Sequence, residues 1–253
     1  MHSGDFIYGI HAVQEAILSG REIGKILLGR NAREGNIGEL IFIAKKSGIP
    51  CQYVPVEKLN SLTRKNHQGV VAILSPVVYQ DIGHIIPKLF EDGELPFILI
   101  LDGITDVRNL GAIARSAECA GVHALLLPSR GGALVTADAV KTSSGALNSL
   151  PVCRTMNLAA AVGFLRDSGL KIYGSSEKPG KVFTEADYTG PLAIIMGSEE
   201  TGLSREVLNK CDELLYIPMY GRIASLNVSV AASLLVYEVV RQRKPTHLNQ
   251  RKG

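Results

Sequence analysis

From Phe97 onward the chain repeats one pattern: a short, mainly apolar run, then a stretch with helical spacing, then another such run. The runs are Phe97 to Leu101, Ala124 to Leu127, Lys171 to Tyr173, Leu192 to Met196 and Leu214 to Ile217. A strand that is apolar at every position, rather than at alternate ones, has no face to give to water, which is the signature of a parallel strand covered on both sides. The stretches between them predict helices near Leu110 to Ala120, Ala137 to Leu147, Leu158 to Asp167, Arg205 to Cys211 and Val228 to Arg241. Parallel strands need crossover helices, so the pattern predicts an α/β fold with a helix-covered parallel sheet.

The first 75 residues show a smaller version of the same mixture. Helices are predicted at Ile10 to Leu18 and Ile37 to Lys46, and strands at Lys25 to Leu28, Cys51 to Val54 and Val70 to Leu74. Between Ser75 and Pro96 the periodicity weakens, and Pro76, Pro87 and Pro96 flank the acidic Glu91, Asp92 and Glu94. Residues 76–96 therefore read as a linker holding one short helix, Ile82 to Phe90, between a small α/β domain (1–75) and a larger one (97–243). A basic tail, 244–253, follows Arg243.

The 253 residues suffice for two such cores, and 46% hydrophobic with 20% charged residues is ordinary for a folded chain. No apolar run approaches the roughly 18 residues of a membrane helix, and the first segment lacks a secretory core. The chain thus reads as soluble and cytoplasmic. Cys51, Cys119, Cys153 and Cys211 are too scattered for a zinc knuckle or a disulfide framework and read as buried thiols. A net charge of +3 does not by itself prove a nucleic-acid partner. The acid-free tail, with Arg241, Arg243, Lys244, Arg251 and Lys252, fits RNA contact and a merely solvated end equally well.

Three segments follow strands directly, where open α/β sheets bind ligands. In Leu101 to Arg115, Asn109 stands where a helix cap is expected, and Arg115 lies one turn beyond Gly111, whose missing side chain leaves room beside the guanidinium. That helix is slim (Gly111, Ala112, Ala114, Ser116, Ala117, Ala120), as a close approach to another element or subunit requires. A well-packed core helix looks the same. In Leu192 to Ser204, Gly197 lets a ligand near the backbone, Glu199 projects from the turn and Ser204 can cap the next helix. In Leu214 to Ser233, Ser225 is the expected cap, with Asn227 and Ser229 available to a ligand in the first turns. Each segment alone is commonplace turn chemistry.

Together they resemble the motifs of the SpoU, or TrmH-like, RNA 2′-O-ribose methyltransferases of the SPOUT superfamily: Asn109 through Arg115, Gly197 through Gly202, and Ser225 through Asn227 leading into the last helix. The N-terminal part, opening Tyr8-Gly9-Ile10-His11-Ala12-Val13, is similar to the ribosomal-protein-like RNA-binding domain of many members. That layout is closest to the RlmB-type enzymes, which methylate a guanosine ribose in 23S ribosomal RNA. The resemblance implies a C-terminal trefoil knot, which chain topology alone would argue against. It also implies a homodimer in which two subunits complete each site, and S-adenosylmethionine held by backbone groups around Gly197, Ile217, Met219 and Leu226. It makes Asn109, Arg115, Glu199, Ser225 and Asn227 the catalytic set, with no metal.

A guanidinium is a poor base at neutral pH. Arg115 is therefore expected to hold a phosphate of the acceptor and stabilise the developing alkoxide, with phosphate or water taking the proton. Asn109 would orient the arginine or the ribose, Glu199 would fix an arginine or loop, and Ser225 with Asn227 would shape the site. The turn from Asp102 to Gly111 has no Gly-x-Gly-x-x-Gly, which disfavours a nicotinamide enzyme. Two alternatives stay open: a transfer-RNA 2′-O-methyltransferase, and a noncatalytic RNA-binding protein on the same scaffold.

Overall fold

The computed structural model describes residues 6–30, 34–178, 180–198 and 200–243. It divides into two compact units, one of residues up to Tyr79 together with Leu134–Ala137, the other of Gln80–Ala133 and the chain from Asp138.

The first unit runs β1 (Phe6–Tyr8), α1 (Ile10–Leu18), β2 (Ile23–Gly29), α2 (Glu34–Lys46), β3 (Cys51–Val54), α3 (Val56–Leu62) and β4 (Val70–Leu74). Its sheet has the order β1-β4-β2-β3, with β2 parallel to β3 and antiparallel to β4. Alternation along β2 and β4 divides the core in two. Ile26, Leu28, Val70 and Ala72 meet Val13, Ile17, Leu40 and Ala44 of α1 and α2. On the other face, Leu27 and Val71 meet Val54 and Leu59. The sequence had not disclosed β1 or α3, segments of three and seven residues.

The second unit comprises β5 (Tyr79–Gln80, where the chain passes from one unit to the other), α4 (Ile82–Glu91), β6 (Phe97–Leu101), α5 (Val107–Cys119), β7 (Ala124–Pro128), α6 (Ala137–Thr142), α7 (Ala146–Ser149), β8 (Val152–Thr155), α8 (Leu158–Asp167), β9 (Lys171–Ser175), β10 (Lys181–Val182), β11 (Leu192–Met196), α9 (Arg205–Leu208), β12 (Glu213–Tyr216) and α10 (Val228–Arg243). The stretch 76–96 thus contains α4, whose Ile82 and Ile86 are buried with β6 and α8 in this unit's core.

The sheet order is β10-β12-β9-β11-β6-β7-β8-β5, and the pairings from β10 through to β8 are parallel. Every residue of β6 and β11 is buried, as their unbroken apolar runs predicted. The chain moves outward from β6 through β7 to β8, then crosses back to build β9 on the other side, and β11 fills the place between β9 and β6. Reversals of this kind open a crevice beyond the carboxyl ends of the strands.

The single helix expected over Ala137 to Leu147 is two short ones, because Ser144 (φ 53°) and Gly145 (φ 87°) take left-handed conformations that end α6. Helix α10 packs against α5 and β11, with Leu235, Val236 and Val239 buried. Its far end is pinned by Arg243, which donates to the carbonyls of Leu95, Tyr188 and Gly190. Glu238, buried on the same helix, accepts from Arg241 and Gln242, and the Arg241 guanidinium holds its carboxyl below the usual carboxylate range.

The thiols are not uniformly buried: Cys153 is buried, Cys51 and Cys211 are half-buried and Cys119 is exposed. Burial pushes Cys153 up to about 12 and Cys211 up to about 11, so both stay protonated and unreactive at neutral pH. No helix among the described residues is long and apolar enough to cross a membrane. The tail from Lys244 lies outside the described residues.

Candidate active site at the strand tips

Strand β6 ends at Leu101, and Asp102 immediately ties it to the next strand tip. The Asp102 N–H donates to the Met196 carbonyl (2.8 Å), and its carboxylate accepts from the Ser204 N–H (2.7 Å). Ser204 does precede α9, but its hydroxyl makes no cap; its backbone serves this crosslink instead. Helix α5 begins at Val107, and the residue capping it is Asp106, whose carboxylate accepts from the Arg108 N–H (2.6 Å). Asn109, where the cap is expected from sequence, is the third residue of the helix, three positions past Asp106.

That displacement leaves the Asn109 side chain available to another element. Its Oδ1 accepts from Asn227 Nδ2 (3.0 Å), 118 positions further along the chain. Asn227 is itself the cap of α10. Its carbonyl accepts from Val230 and Ala231, and its Oδ1 accepts from the Ser229 N–H (2.9 Å). Ser225, the cap expected from sequence, lies two residues too early and is exposed. One amide pair therefore joins the starts of α5 and α10, and the first and third motifs meet there.

The second motif is a tight hairpin. Ser198 and Gly202 exchange backbone hydrogen bonds (3.1 and 2.9 Å), while the Ser198 hydroxyl accepts from the Thr201 N–H (3.0 Å). The fold-back fixes residue 197 as glycine. A Cβ there would sit 2.4 Å from the Gly202 carbonyl carbon and 2.6 Å from the Leu203 nitrogen, nearer than any real side chain approaches backbone. Glu199 lies outside the described residues.

The residues expected around the cofactor, Gly197, Ile217, Met219 and Leu226, all line one cavity of about 330 Å³, together with Ser225. A further wall is supplied by Ser175 at the end of β9 and by Ser176, Glu177 and Lys178 just after it. That segment was missed. Its signal is present in Ser175-Ser176-Glu177-Lys178-Pro179-Gly180, a polar turn directly after a strand, the same placement as the other segments.

Asn109, Asn227 and Arg115 do not line the cavity. Asn227 is flanked by Leu226 and Val228, which do. Arg115 is exposed on α5 and makes no hydrogen bond or ion pair among the described residues. Gly111 does not make room for it. Gly111 is buried, and a Cβ there would fall 2.7 Å from Thr142 Cβ and 2.9 Å from the Ala139 carbonyl oxygen, so its smallness serves the packing of α6. Part of the slim face of α5 is likewise taken up within the chain, where the Ser233 hydroxyl of α10 donates to that of Ser116 (2.7 Å).

A parallel α/β sheet with a ligand-sized cavity at its point of reversal, preceded by a small α/β unit, defines a class of strand-tip binding proteins. Comparison with known proteins narrows the class. Residues 96–237 match the SpoU rRNA Methylase family, and residues 6–80 match a domain described as RNA 2′-O ribose methyltransferase substrate binding. Among relatives, the TrmH family protein YacO of Bacillus subtilis, named for tRNA/rRNA methylation, is 39% identical over 241 residues, 95% of this chain and 97% of its own. A TrmH family protein of Staphylococcus saprophyticus is 41% identical over 237 residues, 94% of this chain and 95% of its own. Among solved structures, the SpoU methyltransferase AviRb of Streptomyces viridochromogenes, in complex with the cofactor AdoMet, superposes with a TM-score of 0.58 at 25% identity, covering 94% of this chain and 89% of AviRb. The chain belongs to the SpoU/TrmH family of RNA methyltransferases.

Proposed function

We propose that the protein transfers a methyl group from S-adenosylmethionine to a ribose 2′-hydroxyl of RNA, with a guanosine of 23S ribosomal RNA as the favoured acceptor. The observation that carries this reading is the convergence of Gly197, Ile217, Met219, Ser225 and Leu226 on one cavity, with the Asn109–Asn227 pair at its edge. The cavity suits the donor. Met196, Leu203 and Ile217 offer apolar wall for an adenine, the strand-tip backbone offers donors and acceptors for its polar edges, and Glu177, Lys178 and Glu200 supply both charges for a zwitterionic amino-acid end.

When bound, S-adenosylmethionine supplies an electrophilic methyl group and a neutral leaving group. The remaining tasks, positioning the hydroxyl and managing its proton, fall to the protein. Arg115, exposed and uncommitted, holds a phosphate of the acceptor and stabilises the oxygen as its proton leaves to phosphate or water. Asn109 and Asn227 fix the two helix starts, and Ser225 shapes the mouth of the cavity. Glu199 has the role of fixing an arginine or loop.

The homodimer belongs to the same reading. Val230, Leu234 and Tyr237 form an apolar stripe on the outer face of α10, exposed at 48%, 41% and 49%. Such a stripe at helical spacing suits a second copy. Arg115 stands outside its own chain's cavity, which favours its serving a site that two chains complete. Leu234→Glu with Tyr237→Glu should convert a dimer to a monomer in sedimentation experiments and reduce methyl transfer to a few per cent. A wild-type monomer with full activity would remove the dimer from the account.

The knot is part of the proposal too, formed by the last strands and α10, as is a cytoplasmic location suited to the substrate. The match of residues 6–80 to a substrate-binding domain favours an RNA-gripping first unit. The preference for 23S ribosomal RNA over transfer RNA rests on that two-unit layout. The test is transfer of labelled methyl from S-adenosylmethionine to unmodified ribosomal RNA and, separately, transfer RNA. The product should be an alkali-resistant dinucleotide carrying the label on a guanosine ribose of 23S RNA. Label on transfer RNA alone would reassign the substrate, and RNA binding with no transfer would favour a noncatalytic module.

A further inference from the structure

We propose that Arg108 and Arg130, on neighbouring strand tips, form a rim that holds RNA backbone phosphates beside the acceptor nucleotide. The inference rests on the RNA-substrate reading above and names where that substrate is gripped on the second unit.

Strands β6 and β7 are parallel neighbours, with Ile98 opposite Ala124 and Ile100 opposite Leu126, so their tips lie at the same end of the sheet. The loop after β7 is pinned on both flanks. The Ser129 N–H donates to the Thr155 carbonyl (2.7 Å) at the tip of β8, and the Ala133 N–H donates to the Ile104 carbonyl (2.7 Å) in the loop after β6. Between these pins stands Arg130, followed by Gly131, whose positive φ of 77° turns the chain. Arg130 is exposed, yet its backbone is held on a short tether to the loop that leads into α5.

Arg108 is the second residue of α5 and is also exposed. The acids nearest to it in sequence have other work: Asp106 caps the helix through the Arg108 backbone N–H, and Asp102 holds Ser204. Neither guanidinium makes a hydrogen bond or ion pair among the described residues. Arg108 and Arg115 are seven residues apart, about 10 Å along one face of the helix. Arg108 stands at the strand-tip end of α5, with Arg115 further down the helix, and it directly precedes Asn109, which contacts Asn227 at the cavity's edge. Guanidinium forks left unpaired by protein and carried on a held backbone are suited to phosphodiester oxygens.

The test is the salt dependence of RNA binding, read by fluorescence anisotropy on a mixed-sequence single-stranded RNA oligonucleotide, for wild type, Arg108→Gln/Arg130→Gln and Arg108→Lys/Arg130→Lys. Removing both charges should weaken binding about tenfold and reduce the slope of log affinity against log salt by about 1 to 2. The lysine pair should recover the slope, because it restores the charges. Affinity for S-adenosylhomocysteine should be the same in all three, which also verifies the fold. On unmodified ribosomal RNA the loss should fall on KM and spare kcat. An unchanged slope, or a fall in kcat at unchanged RNA affinity, would overturn the rim. The slope is a pure binding measurement, so a wild-type protein that transfers no methyl would defeat the functional reading while leaving this comparison decisive.

Discussion

Arg115→Ala should lower kcat for methyl transfer on the order of 10²- to 10³-fold and leave the affinity for S-adenosylhomocysteine where it was. The size follows from removing one charged donor at an oxygen where negative charge develops, a loss that mutagenesis at oxyanion-stabilising positions places in this range. The division between turnover and donor binding follows from the proposed role: Arg115 is exposed on α5, absent from the walls of its own chain's cavity, and grips the acceptor's phosphate rather than the donor. Arg115→Lys should recover only part of the rate, since an ammonium supplies charge without a two-pronged fork. Single-turnover rates with saturating donor would measure both effects. An alanine variant with near-normal turnover would show that the acceptor is activated elsewhere.

Gly197→Ala should act at the opposite end of the site and fail in the opposite way. A methyl group there would lie 2.4 Å from the Gly202 carbonyl carbon and 2.6 Å from the Leu203 nitrogen. Those atoms are backbone in a closed hairpin, held by the paired Ser198 and Gly202 bonds and by the Asp102 contact to Ser204 just beyond. No side chain can swing aside, so the hairpin has to open. Overpacking of this kind costs about 2 kcal/mol, roughly 4–8 °C in melting temperature for a chain of this size. The same opening displaces one wall of the cavity, and donor affinity should fall by about tenfold or more. A variant that melts with wild type and binds the donor equally well would mean that the hairpin is not as closed as described.

The two variants divide the site into a part that holds the donor and a part that presents the acceptor, a division the sequence disclosed unevenly. Phe97 to Leu101 and Leu192 to Met196 were readable because a strand buried on both faces leaves no polar position to blur it. Lining residues were readable through their place after such strands and through their resemblance to family motifs. The caps were misread because each helix start offers two suitable side chains within three residues: Asp106 or Asn109, Ser225 or Asn227. Local propensity does not choose between them, and it carries no information about the contact that Asn109 makes with a partner 118 residues away. Gly111 and Gly197 were recognisable as positions needing no side chain, but the neighbour imposing that need, Thr142 in one case and Gly202 in the other, is a product of the fold. Ser144 and Gly145 broke a helix that the apolar spacing of residues 137–147 had carried straight through.

In the proposed function the methyl donor sits in the cavity at the tips of β9, β11 and β12. Calorimetric titration of the purified protein with S-adenosylhomocysteine tests that most directly. One molecule should bind per chain, with a Kd on the order of micromolar, and Gly197→Ala should weaken it while Arg115→Ala does not. Absence of binding to wild type, or equal binding by the Gly197 variant, would contradict the assignment.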